Sequence, residues 1–156
     1  MKIFTVEEAR AMLPSLRQML TDANAELEKL SLKLEHVNAR YEAAEKQLDS
    51  IKSKTSDASE VSKLRDDRIE FQESIEKLSQ AQQEYLNCLD GWIDRITAPG
   101  IILRELRTGL LDFPARQGKF DYYLCWKLSD VDIDYWHLQN DGFIGRRPLA
   151  VLSEYF

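Results

Sequence analysis

Long apolar runs are missing from this 156-residue chain, and so is any surplus of positive charge. No stretch approaches the roughly 18 to 20 apolar residues of a bilayer-crossing helix, so no membrane span is expected. Lys and Arg number 21 against 27 Asp and Glu, a net charge of −6 that disfavours nucleic acid and anionic membrane as partners. Two cysteines, Cys88 and Cys125, make no disulfide framework. The N-terminus turns acidic at Glu7-Glu8 with no apolar segment before it, so no secretory signal is read there. These absences point to a reduced, cytoplasmic protein. Six Gly and four Pro exclude collagen-like and low-complexity classes.

Glycine and proline are also unevenly placed. Residues 1–96 hold only Gly91 and Pro14; the others, with most of the aromatics, fall in 97–156. The change at Pro99-Gly100 separates a helical part from a part of strands and turns.

Thr5 followed by Glu8 is a capping box, which satisfies two amide donors at a helix start. Apolar positions then run Leu13, Leu16, Leu20, Ala23, Leu27, Leu30, Leu34, Val37, Tyr41, Ala44, Leu48 and Ile51. Steps alternating three and four predict a coiled-coil seam over a helix of about 5–52. Pro14 removes one backbone donor, and a kink or break is expected there. Residues 53–59 supply a turn, with Ser56 or Asp57 as N-cap. A second helix, about 60–96, carries Val61, Leu64, Phe71, Ile75, Leu78, Tyr85, Leu89, Trp92 and Ile96, interrupted by Arg68 and Gln82. The stripes mirror one another about the turn, setting Tyr41 on Phe71 and Leu20 on Trp92. An antiparallel helical hairpin follows.

In 97–156, Gly100 to Leu106 reads as a strand that returns at Leu110 to Pro114, and Gln117-Gly118-Lys119 is a turn. Phe120, Tyr122, Leu124, Trp126 and Leu128 share one strand face, with Tyr123 and Cys125 on the other. Val131, Ile133, Tyr135 and His137 share the apolar face of a further strand, with Trp136 on its reverse. Asp130, Asp132 and Asp134 would line one strand face as a solvated edge. The fold class is α+β: a long hairpin, 1–96, with a small antiparallel sheet module of three or four strands, 97–156, at its base.

Phe4-Thr5-Val6-Glu7-Glu8-Ala9, Leu13-Pro14, Gly109-Leu110-Leu111-Asp112-Phe113-Pro114, Tyr123-Leu124-Cys125-Trp126, Tyr135-Trp136-His137 and the run from Gly142 to Leu149 stand in this order. Together they resemble an uncharacterised bacterial family, domain of unknown function 2203, over nearly the whole chain. Ser129-Asp130 departs from the Gly-Glu expected there. The resemblance implies no established activity.

Candidate ligand-binding residues are Asp112, Cys125, Trp126, Trp136, His137, Arg146 and Arg147. A thiol, an imidazole and a carboxylate from Asp112 or Asp130 are donors suited to zinc or iron. Strand alternation, however, turns Cys125 and His137 to opposite faces, so no metal or other cofactor is expected and a Cys-His nucleophile meets the same objection. Arg146-Arg147 beside glycines is the leading ligand contact, for a phosphate or carboxylate. The reading reached is a non-enzymatic interaction or scaffold protein that self-associates and binds protein partners, with no nucleic acid and no membrane. The alternative is a small-ligand- or metal-binding, enzyme-like C-terminal module.

Overall fold

The computed structural model of the chain describes residues 1–52 and 58–156. Two long packed helices, α1 (Val6–Lys52) and α2 (Ala58–Thr97), precede five strands. These are β1 (Ile102–Glu105), β2 (Leu110–Gln117), β3 (Phe120–Trp126), β4 (Tyr135–Leu138) and β5 (Arg147–Pro148). They pair antiparallel in chain order. The class is α+β, with five strands rather than three or four because the short Arg147–Pro148 segment adds an edge. The described residues form two compact units, Met1–Ala25 with Asp90–Phe156, and Glu26–Leu89.

In the first unit the capping box forms as expected. The Glu8 amide donates to Thr5 Oγ1 at 3.1 Å, and the Thr5 amide donates to Glu8 Oε2 at 3.3 Å. The helix does not break at Pro14, which lies exposed inside α1. One face of the sheet presents Leu111, Phe113, Ala115, Tyr122, Leu124 and Trp136, all buried. Leu13, Leu16 and Leu20 of α1 and Ile96 of α2 complete that core. Phe4 locks the chain start to it, its amide bonded to the Pro114 carbonyl at 2.7 Å and its ring set edge-on to Phe113.

The segment before β4 departs from expectation. Residues 131–134 are not strand, and β4 begins only at Tyr135. The cause lies in two arginines of α1 that take the carbonyls a ladder would use. Arg17 donates to the carbonyls of Leu128, Asp130 and Val131, and Arg10 to that of Ile133. With no strand there, the expected edge of Asp130, Asp132 and Asp134 does not form. Asp132 pairs with Arg10, and Asp130 pairs with Arg146. Strand phase shifts accordingly: Trp136 turns into the core beside Leu124, and His137 turns the other way.

In the second unit the expected α1 seam holds from Leu27 to Ile51, every position buried or half-buried. Tyr41 stacks on Phe71 with ring centroids 5.4 Å apart, as the mirror register required. The α2 side differs by one position in each heptad. Leu64, Phe71, Leu78 and Tyr85 face the seam, but their companions are the buried Asp67, Ser74 and Ala81. Arg68 and Gln82 are exposed rather than seated in the seam, and Ile75 and Val61 are exposed with them. Two of the three buried companions, Ser74 and Ala81, are small side chains that need little room between packed helices. The expected cap at Ser56 or Asp57 lies outside the described residues.

Candidate metal centre

Asp112, Cys125 and His137 come from β2, β3 and β4 and meet on the sheet face opposite the main core. Asp112 is paired directly with Cys125, and His137 with Tyr123. Residues two apart on a strand share a face, so this register brings all three side chains to one side. Carboxylate oxygen, thiol sulfur and imidazole nitrogen all lie within 4.8 Å of one another. Each residue is at most 2% exposed. The expected opposition of Cys125 and His137 is therefore corrected. It rested on a β4 phase read from Val131 and Ile133, which lie outside the strand.

The ring nitrogens of His137 are both engaged. Nδ1–H donates to the Leu138 carbonyl at 2.7 Å, and Nε2 stands 2.9 Å from Asp112 Oδ1. A carbonyl and a carboxylate both accept, so the metal-free ring is held as the doubly protonated imidazolium. Burial, the largest single influence, pushes its pKa down. The bond to Asp112, contacts with Cys125 and Leu138, and the Asp112 charge together outweigh burial and raise it from 6.5 to about 10. The other Asp112 oxygen, Oδ2, accepts from Arg104 Nε at 2.8 Å, and this carboxylate raises the arginine in turn against burial. Tyr123 packs beneath both cations, its ring centre 5.4 Å from the Arg104 guanidinium and from the His137 ring.

This geometry is unsuited to a relay triad. Such a relay places the thiol on the imidazole nitrogen remote from the acid, and here Leu138 occupies that nitrogen. It is suited to a metal. The outer partners that orient such ligands are in place: a backbone carbonyl on His Nδ1 and an arginine on the second carboxylate oxygen. Oδ1, Nε2 and the sulfur are left to converge.

A cavity of about 290 Å³ opens on the three residues. Leu110 and Phe143 form apolar walls, and Arg104, Gln139 and Asn140 line it as well. Gly142, at φ +64°, makes the left-handed turn that delivers Phe143 to the cavity.

Of the other residues singled out in the sequence, Arg146 borders the centre beside Cys125, and the rest lie elsewhere. Trp126 and Trp136 are fully buried in the main core, where their indole N–H groups donate to the carbonyls of Asp130 and Pro148. Arg146 is tied to Asp130 at 2.8 Å and lies over the rings of Tyr135 and Phe143. Burial lowers its pKa, but Asp130 and the neighbouring Cys125 raise it overall. Arg147 pairs with Asp141 at 3.2 Å. Sequence reasoning missed Arg104, whose signal was strand alternation: two residues beyond Ile102, it falls on the face of Asp112. Gln139 and Asn140, in a loop, carried no signal.

A family model described as an uncharacterised conserved protein, DUF2203, matches residues 2–149. The chain belongs to the DUF2203 family. The match spans the helices and all of the candidate centre, and it carries no activity. No curated protein and no solved structure matches the chain. Among the described residues of this DUF2203 member, no helix is long and apolar enough to cross a membrane.

Proposed function

We propose that the sheet module is a metal-binding module in which Asp112, Cys125 and His137 hold one divalent transition-metal ion. The observation that carries this reading is the convergence of three different donor atoms within 4.8 Å on a buried face beside a cavity. A thiolate disfavours magnesium and calcium, and an oxygen, nitrogen and sulfur set suits zinc best. Three protein ligands leave a fourth position for an outside ligand, as in reactive rather than purely structural zinc sites. Binding replaces the proton between His137 Nε2 and Asp112 Oδ1.

The test is elemental analysis of untagged protein purified and then equilibrated with zinc. One equivalent is expected in the native chain and none in Cys125→Ser or His137→Ala. Cobalt substitution should add a thiolate-to-cobalt charge-transfer band that Cys125→Ser lacks. Native protein that neither retains zinc nor shows that band ends the proposal.

A second reading concerns the hairpin unit, where Leu32, Val61, Ile69 and Leu86 are each at least half exposed. We infer that these exposed apolar side chains dock onto another helix, either from a second copy or from a protein partner. Light scattering of native protein and of a Leu32→Lys, Ile69→Lys variant reads the first case: a native dimer that the variant abolishes supports it, and a monomer in both excludes it.

A further inference from the structure

We propose that the cavity over Asp112, Cys125 and His137 receives a small oxyanion, a carboxylate or phosphate, that ligates the metal and is gripped by Arg104 together with Gln139 and Asn140. This rests on the metal reading above and names what the open coordination position accepts.

Charge argues for it first. A divalent ion is neutralised by the carboxylate of Asp112 and the thiolate of Cys125, with His137 bound as the neutral imidazole. Arg104 then leaves the cavity with one uncompensated positive charge. The neighbouring cation, Arg146, does not change that balance, because Asp130 cancels it. A cavity lined by an uncompensated cation attracts ligands of opposite charge, so the loaded site favours a ligand carrying negative charge.

Donor supply argues for it next. A guanidinium carries five N–H donors. Asp112 takes Nε and Tyr123 engages the group weakly, while the side chain remains 43% exposed along the cavity. Gln139 and Asn140 are exposed, and no hydrogen bond among the described residues engages either side-chain amide. Donors in this number, next to a Lewis-acidic ion, match an oxyanion with two or more free oxygens.

Size and walls complete the description. About 290 Å³ lies at the lower end of ligand cavities, so the oxyanion belongs to a small molecule. Leu110 and Phe143 offer its remaining atoms an apolar surface.

The experiment uses the full-length cobalt-loaded protein and follows its visible d–d bands during titration with oxalate, with inorganic phosphate, and with glycerol as a neutral control. Saturable band changes are expected with an oxyanion and not with glycerol; tighter oxalate binding assigns a carboxylate ligand, tighter phosphate a phosphate. Asn140→Ala, which removes none of the three metal ligands, should weaken the titration several-fold while leaving the charge-transfer band intact. Arg104→Gln should weaken it by roughly tenfold or more. Cobalt bound with its charge-transfer band but d–d bands indifferent to both anions at about 10 mM overturns the oxyanion proposal alone. Failure to bind cobalt at all overturns the metal reading beneath it.

Discussion

Asp112 Oδ1 and His137 Nε2 meet at 2.9 Å although their strands, β2 and β4, do not pair with each other. The contact reaches across β3, a span of roughly two strand spacings, and it passes beside Cys125. A buried ion pair holding strands on either side of a third ties the centre of the sheet together. The same atoms are those a metal ion would draw.

Stability of the chelator-treated protein should depend on pH with a definite sign. The His137 pKa is raised to about 10, above its ordinary 6.5. Its contribution is therefore fully present below about pH 6.5 and is lost as pH rises through about 10. The loss is at most about 1.4 kcal/mol per pH unit across that window. Urea midpoints at pH 7, 8.5 and 10 should fall steadily in the native chain and much less in His137→Gln. Cys125, Tyr123, Arg104 and Arg146 face the same region, so Cys125→Ser is measured in parallel. Equal slopes in native protein and His137→Gln would remove the imidazolium from the account.

Removing the acid leaves the buried His137 without its charge partner, while Arg104 keeps its access to solvent. Asp112 partners both His137 and Arg104 and is 2% exposed. Asp112→Ala should cost about 3 to 5 kcal/mol in chemical denaturation of the metal-free chain, because it breaks a buried pair from one side. Asp112→Asn keeps an oxygen acceptor and should cost less. A loss under about 1 kcal/mol in Asp112→Ala would mean that the pair adds little to the fold.

The Tyr41–Phe71 stack can be weighed by a double-mutant cycle. Their rings lie 5.4 Å apart and 28° from parallel on the two helices. Alanine at either position and at both should reveal a coupling of about 0.5 to 1.5 kcal/mol. Strict additivity would place the two rings apart in solution and would overturn the register of the hairpin unit.

How far the sequence was legible follows from where each signal originates. The α1 seam was legible because a repeat sustained from Leu13 to Ile51 survives local noise, and the Thr5–Glu8 box because its partners are three residues apart. The phase of β4 was not. Val131 and Ile133 look like strand, but Arg10 and Arg17, more than a hundred residues away in sequence, hold the backbone around them out of the ladder. A one-residue error in phase reverses every face, and it hid the convergence of Cys125 and His137. The inner flank of α2 was hidden for a related reason. Hydrophobicity favoured Ile75, yet the small Ser74 and Ala81 are the buried residues and Ile75 is exposed.

That inner flank leads to a prediction against the usual direction of mutation. Asp67 is 6% exposed in the hairpin unit, and Oδ1 accepts from Gln47 Nε2 at 3.2 Å. Oδ2 is buried and has no hydrogen-bond partner among the described residues. A carboxylate oxygen taken out of water without a partner costs about 1 to 3 kcal/mol, and one neutral amide on the other oxygen does not offset that cost. Neighbouring seam positions are apolar: Ala44 and Leu48 are buried, and Leu64 and Phe71 are half-buried. Asp67→Leu fits the seam pattern and removes the orphaned oxygen, although Gln47 is more exposed and can bond to water instead. The variant should therefore be more stable than the native chain, by about 1 kcal/mol or more, read as a higher urea midpoint at unchanged slope. Asp67→Asn, which replaces the charge but keeps the shape, should fall between the two. A lower midpoint for Asp67→Leu would show that Asp67 does find a partner in solution, and that the seam is built around it.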